Sequence, residues 1–153
     1  MYDENGEAFG FSINGKEYFY VKNAQNDVIA IVNSNNETVV SYQYDSWGKL
    51  LSCEDTSEKD IVSFMNPYTY RGYYYDSDTQ LYYLSSRYYN PELCRFISAD
   101  GYVQTGQGVF DKNMFAYCLN NPVNRVDSDG SSSVLIALAI TGTQRTVPCV
   151  PEK

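Results

Sequence analysis

Carboxylates are the reactive groups that this chain offers. It carries 19 Asp and Glu against 11 Lys and Arg, and no histidine in 153 residues. Histidine is the usual general base and the commonest metal ligand, so Ser-His-Asp and Cys-His chemistry are excluded from this chain alone. Hydrolysis by carboxylates would need two acids close enough to share a proton, one ionised to activate water and one protonated to polarise a carbonyl. Cys53, Cys94, Cys118 and Cys149 include no Cys-x-x-Cys pair, so zinc spacing is absent. They read as buried thiols, or as disulfides in an oxidising compartment. No metal and no cofactor is expected.

A formal charge of −8 leaves no electrostatic footprint for a phosphate backbone, which argues against nucleic acid as a partner. Met1 is followed by Tyr2-Asp3-Glu4-Asn5-Gly6 and not by a basic patch with an apolar run, so no signal peptide is visible. The longest apolar run, Val134 to Ile140, is seven residues, whereas a membrane-spanning helix needs about 20. No membrane span is expected.

The elements that would position any site are strands. Sixteen tyrosines and seven phenylalanines favour pleated surfaces on which a ring packs flat while its hydroxyl stays wet. Residues 17–52 read as an antiparallel meander with turn signals at Asn14-Gly15, Asn23 to Asp27, Asn33 to Glu37 and Asp45 to Gly48. Val28 to Val32 is apolar at every position and reads as a strand covered on both faces. From Thr38 to Tyr44 the period is two, with Val40, Tyr42 and Tyr44 on one side. Residues 53–66 are polar and acidic, a surface loop with room for one helical turn at Ile61 to Met65.

A weak repeat follows. Tyr44-Asp45, Tyr75-Asp76 and Tyr89-Asn90 each open a turn, and Leu50, Leu81 and Phe96 re-enter the sheet six or seven residues later. The physical unit is a hairpin: an aromatic residue ends a strand, an Asx side chain caps the turn through backbone amides, and an apolar residue resumes pairing. A single unit cannot bury both its faces, so such units need neighbours. The predicted fold is all-β: a curved antiparallel sheet of such hairpins, a short irregular or helical segment near 111–118, and a flexible tail.

In order along the chain come Leu81-Tyr82-Tyr83, Arg87-Tyr88-Tyr89-Asn90-Pro91, Arg95-Phe96 through Asp100, Asn113, Tyr117, Asn120-Asn121-Pro122 and Asp127 to Gly130. This series resembles the RHS repeat-associated core domain of RHS/YD-repeat proteins, and Tyr18 to Ser52 resembles the YD strands that precede it. The resemblance implies four regions: YD strands at 1–52, the loop at 53–66, the core at 67–130, and a variable, truncated C-terminal tail at 131–153. It also implies a large bacterial polypeptide, secreted or at the cell surface, whose YD repeats form a hollow β-sheet shell. This chain would be an end-piece of that shell, partnered by the rest of the shell and by a C-terminal toxin or effector segment.

In related shells the core is an intramolecular aspartyl protease that releases the segment. One of its acids maps to Asp100; its partner position, next to Arg87, is occupied by Tyr88, which cannot share a carboxyl proton. Asp127 is the substitute the sequence offers, with cleavage just after 127–130. Ser128 and Ser131 replace the family's Pro and Leu, and Gln80 and Cys94 replace turn glycines, which puts left-handed turns there in question. The structural alternative has Asp100 and Asp127 capping turns and Arg87 serving as the buried partner of a carboxylate or carbonyl. A further alternative treats the tyrosine-rich faces as a surface for cell-surface carbohydrate.

Overall fold

The computed structural model describes residues 1–4, 6–58, 61–101 and 113–136. Two compact units divide the chain: Met1–Tyr44 with Leu50–Gly72, and Asp45–Lys49 with the described residues from Tyr73 onward.

The first unit is a five-stranded antiparallel sheet in sequence order: β1 (Gly10–Ile13), β2 (Lys16–Lys22), β3 (Val28–Asn33), β4 (Thr38–Tyr44) and β5 (Leu50–Asp55). The period read in β4 places Val40 and Tyr42 in the core, at 0% and 5% exposure. They pack with Tyr18, Val28, Ile31 and Val62. Val62 comes from the short helix α1 (Ile61–Met65). β3 departs from the sequence reading. Val28 and Ile31 are fully buried while Ile29 is 39% exposed, so this apolar strand has one covered face.

Asn66 ties the end of α1 to the sheet. Its Oδ1 accepts from the Tyr20 hydroxyl at 2.9 Å and from the Tyr68 amide at 3.1 Å. Its Nδ2 donates to the Tyr42 hydroxyl at 3.2 Å and the Tyr68 carbonyl at 2.8 Å. Burial raises the pKa of both phenols, that of Tyr42 to about 12.

The second unit holds a four-stranded antiparallel sheet of β6 (Tyr74–Asp76), β7 (Leu81–Tyr83), β8 (Tyr88–Asn90) and β9 (Arg95–Phe96). A two-stranded ladder accompanies it, β10 (Arg125–Val126) with β11 (Val134–Leu135). Register makes the tyrosine crowd orderly. Tyr75, Tyr82, Tyr89 and Phe96 are opposite one another across the strands. Their ring centroids are 5.0, 6.3 and 6.0 Å apart in turn, and Tyr117 closes on Tyr89 at 4.1 Å. The other face carries Tyr74, Tyr83 and Tyr88, each more than 40% exposed.

The turns share one device. Asn23, Asn33, Asp45, Asp76 and Asn90 each place Oδ1 on two amides two to four residues ahead. At Asp45 the donors are Trp47 and Lys49, at 2.8 and 2.9 Å. A left-handed residue then closes each turn: Asn26, Asn36, Gly48, Gln80 and Cys94, with φ between 55° and 88°. The doubt raised by Gln80 and Cys94 is thereby corrected. Both adopt the left-handed conformation (φ 59° and 55°) despite a Cβ, a cost of about 1–2 kcal/mol that the capping bonds offset.

Within 111–118, residues 113–118 form a turn and an isolated bridge from Ala116 to Arg95, so this part is irregular. A 3₁₀ turn follows at Cys118–Asn120. Residues 111–112 and the tail from 137 lie outside the described residues. No helix among the described residues is long and apolar enough to cross a membrane.

Asp45→Ala removes two amide acceptors and should lower unfolding free energy by about 1–2 kcal/mol. Asn66→Ala strips four bonds from a buried site and should cost about 2–4 kcal/mol. Urea titration followed by tyrosine fluorescence measures both; an unchanged midpoint for either variant would contradict the assigned bonds.

Candidate functional site

Arg87 lies in the tight loop between β7 and β8, where the Leu84 amide bonds the Arg87 carbonyl at 3.0 Å. This loop turns the side chain into the interior, 7% exposed, with the guanidinium 3.7 Å above the centre of the Phe96 ring. Its nitrogens are fully employed. Nη2 lies 3.2 Å from Asp100 Oδ2 and 3.6 Å from Asp127 Oδ2. Nη1 donates to the Met114 carbonyl at 3.1 Å, and Nε donates to the Gly130 carbonyl. A planar fork with five N–H groups can serve four acceptors in this way; a lysine ammonium cannot.

Each acceptor arrives from a different segment. Asp100 follows β9, and its amide donates to the Met114 carbonyl at 2.8 Å. Asp127 follows β10, where Oδ1 accepts the Gly130 amide at 2.8 Å. Gly130 is left-handed (φ +74°), and a Cβ there would meet the Leu84 carbonyl and Ser86 Oγ at 2.8 Å. Ser86 donates through both its amide and Oγ to the Asp129 carbonyl, at 3.1 and 2.7 Å. The Tyr73 hydroxyl donates to the Asp127 carbonyl at 2.7 Å. Residues 127–130 are thereby held along their backbone.

All three sequence candidates, Arg87, Asp100 and Asp127, thus come together. No spacing argument placed Asp127 near Asp100; sharing one guanidinium nitrogen, their oxygens are no farther apart than the sum of those two contacts. Tyr88, at the family's second-acid position, is 41% exposed on the outer tyrosine face. The sequence reading did not find Ser86, Tyr73 or the Met114 and Gly130 carbonyls, because backbone acceptors leave no residue-type signal. A second buried pair, Arg71 with Asp27, is in the first unit at 3.6 Å, where Asp27 also accepts the Arg71 amide.

Two carboxylates, Asp127 buried and Asp100 partly buried, on one cation leave an uncompensated negative charge. Burial pushes the Asp127 carboxyl above its ordinary range, against the opposing pull of Arg87 and the Gly130 amide. One guanidinium nitrogen thus faces both acids. Among the described residues no group of three or more His, Cys, Asp or Glu could hold a metal.

These features define the class as an antiparallel tyrosine-hairpin wall with a clasped segment beside it. The teneurin YD-shell profile matches residues 1–123, and the chain belongs to that family. It is 45% identical over 130 residues to the tRNA nuclease WapA of Bacillus subtilis strain 168, covering 84% of this chain and 5% of that protein. It is 32% identical over 111 residues to the putative uncharacterized protein YlbH of Escherichia coli K12, covering 72% and 43%. The chain therefore spans a small part of WapA and under half of YlbH. Among solved structures, the TcdB2-TccC3-Cdc42 crystal structure superposes with a TM-score of 0.68 at 24% identity, covering 78% of this chain and 5% of that one. A structure of the Photorhabdus luminescens Tc holotoxin pore gives 0.67 at 22% identity, covering 87% and 6%. These two likenesses establish the fold.

Arg87→Ala should destabilise the second unit by about 3–5 kcal/mol, because the buried Asp127 and the partly buried Asp100 lose their cation. Asp127→Asn behaves oppositely. A carboxyl whose pKa is raised in the folded state contributes stability below its unfolded pKa and loses it as pH rises through the folded value. The asparagine variant should therefore gain on the wild type as pH increases from 4 to 7; urea midpoints across that range that stay parallel would contradict this.

Proposed function

We propose that this chain is a structural end-piece of an RHS/YD-repeat shell that encloses or presents a C-terminal toxin or effector segment. The observation that carries this reading is the clasp. Arg87, Ser86 and Tyr73 hold the backbone of 127–130 at the point where the tyrosine-free tail begins. The name of WapA, a tRNA nuclease, supports a toxin as the kind of segment carried by such polypeptides. In this reading 1–52 are YD-repeat strands, 53–66 is a surface loop, the core is 67–130, and 131–153 is the variable tail. The larger polypeptide works outside the cell or on its surface.

A second reading is supported by the outer row of Tyr74, Tyr83 and Tyr88, each over 40% exposed. Rings in such a row can stack on cell-surface carbohydrate. A third assigns residual aspartyl autoproteolysis to Asp100, Asp127 and Arg87.

The shell reading is tested by the state of the isolated chain. β1 and β5 are the outer strands of the first sheet, and Leu51 on β5 is 62% exposed; strand edges of this kind pair with other chains unless neighbours cover them. The chain alone should elute from a sizing column as multimers, and Leu51→Lys should raise the monomer fraction severalfold. A sharp monomer peak for the unaltered chain would contradict the reading.

A further inference from the structure

We infer that Tyr83 and Tyr88 are an oxidative cross-linking site, at which a haem peroxidase with hydrogen peroxide joins the two rings into a dityrosine. The link does not depend on the shell reading. It ties β7 to β8 on either side of the loop that aims Arg87 inward.

Register and exposure together single out this pair. Tyr83 and Tyr88 are directly opposite across the ladder, a position where Cβ atoms are about 4.5–5.5 Å apart. Their ring centroids are 5.0 Å apart with the planes inclined at 42°, near the short end for aromatic contacts. Exposures of 42% and 41% open both rings to an oxidant at the surface. The loop between them is closed by the Leu84 amide on the Arg87 carbonyl, so the rings are held opposite each other before any reaction. The inner row offers contacts as close, Tyr75–Tyr82 at 5.0 Å and Tyr89–Tyr117 at 4.1 Å. There Tyr82, Tyr89 and Tyr117 are each at most 1% exposed, and the hydroxyls of Tyr82 and Tyr89 are bound to backbone carbonyls. In the first unit Tyr2 approaches Tyr68 through the hydroxyls, at 3.3 Å; the cross-strand pair instead sets ring against ring.

The peroxidase takes one electron and one phenolic proton from each tyrosine, leaving two phenoxyl radicals whose spin is shared with the ring carbons beside the oxygen. Two of those carbons, a Cε of Tyr83 and a Cε of Tyr88, form a carbon–carbon bond. Each then gives up its hydrogen as a proton to its own phenolic oxygen, which restores both aromatic rings and both hydroxyls. Hydrogen peroxide accepts the two electrons and two protons and leaves as two water molecules. Because the sheet already holds the reacting carbons near each other, coupling within the pair outruns coupling between molecules. The product is a covalent rung across β7 and β8 that restrains the loop from Leu84 to Arg87.

The test treats the full 153-residue chain at low concentration with a haem peroxidase and hydrogen peroxide, then reduces it, digests it with trypsin and reads the peptides by mass spectrometry. Trypsin cuts after Arg71, Arg87 and Arg95. The expected product therefore joins peptide 72–87 to peptide 88–95 and is two hydrogens lighter than the pair, with fragmentation placing the link at Tyr83 and Tyr88. On a denaturing gel, Tyr83→Phe and Tyr88→Phe should each lower the dityrosine fluorescence of the monomer band about tenfold or more. Tyr74→Phe, on the same face, should leave it unchanged. Circular dichroism confirms that each variant is folded. An unlinked wild type, a link at other tyrosines such as Tyr2 with Tyr68, links only between molecules, or a Tyr83→Phe variant as fluorescent as wild type would overturn the inference. Those results would leave the shell reading standing, since association through the strand edges tests it separately.

Discussion

A tyrosine hydroxyl carried into a protein interior must find a partner, and at four tyrosines here that partner is a backbone carbonyl of another segment. Tyr82 and Tyr89, on adjacent rungs of the second sheet, donate to the Gly48 and Trp47 carbonyls at 2.8 and 2.7 Å. Tyr44 donates to the Val28 carbonyl at 3.0 Å, and Tyr73 to that of Asp127. The ring of each residue packs against other rings while its hydroxyl pins a backbone carbonyl. Phenylalanine would supply the first and not the second, which is the physical reason for so many tyrosines. It also explains why such hairpins depend on one another, since each supplies carbonyls that another must satisfy.

The clasp uses the same logic with a charge added. Backbone carbonyls at Met114 and Gly130 and carboxylates at Asp100 and Asp127 all need donors once they are buried, and one guanidinium supplies them. The Phe96 ring, the last rung of the inner aromatic row, is the floor under that guanidinium. Wall and site are therefore continuous within the second unit. The side chain that ends the stacked row also sets the depth at which Arg87 sits, and so which segment of backbone it can reach.

Much of this was legible in the residues. The Asx turns at Asp45, Asp76 and Asn90 follow from side-chain chemistry and short-range spacing, and the structure shows them with their amide donors. The alternation in β4 also read correctly, because one face meets a core and period two records that. β3 did not: Ile29 is as apolar as Ile31, and sequence cannot say that α1 covers one face alone. The left-handed Gln80 and Cys94 were illegible for a related reason. A turn whose capping bonds are intact tolerates a Cβ that a glycine signal would have excluded. At the site, the motif supplied the identities of Arg87, Asp100 and Asp127. Their convergence depends on contacts between residues that are distant in sequence, up to 43 positions apart, along with backbone acceptors that any residue type can provide.

The central claim is that tyrosine hydroxyls of one hairpin hold the turn of another. Amide hydrogen exchange on the Tyr82→Phe/Tyr89→Phe double variant tests it most directly. Loss of two buried bonds worth about 1 kcal/mol each should speed exchange of the Trp47 and Lys49 amides by about ten- to thirtyfold, while β2 and β3 keep their protection. Unchanged exchange in the 45–49 turn would show that the rings alone sustain the wall and would contradict this account.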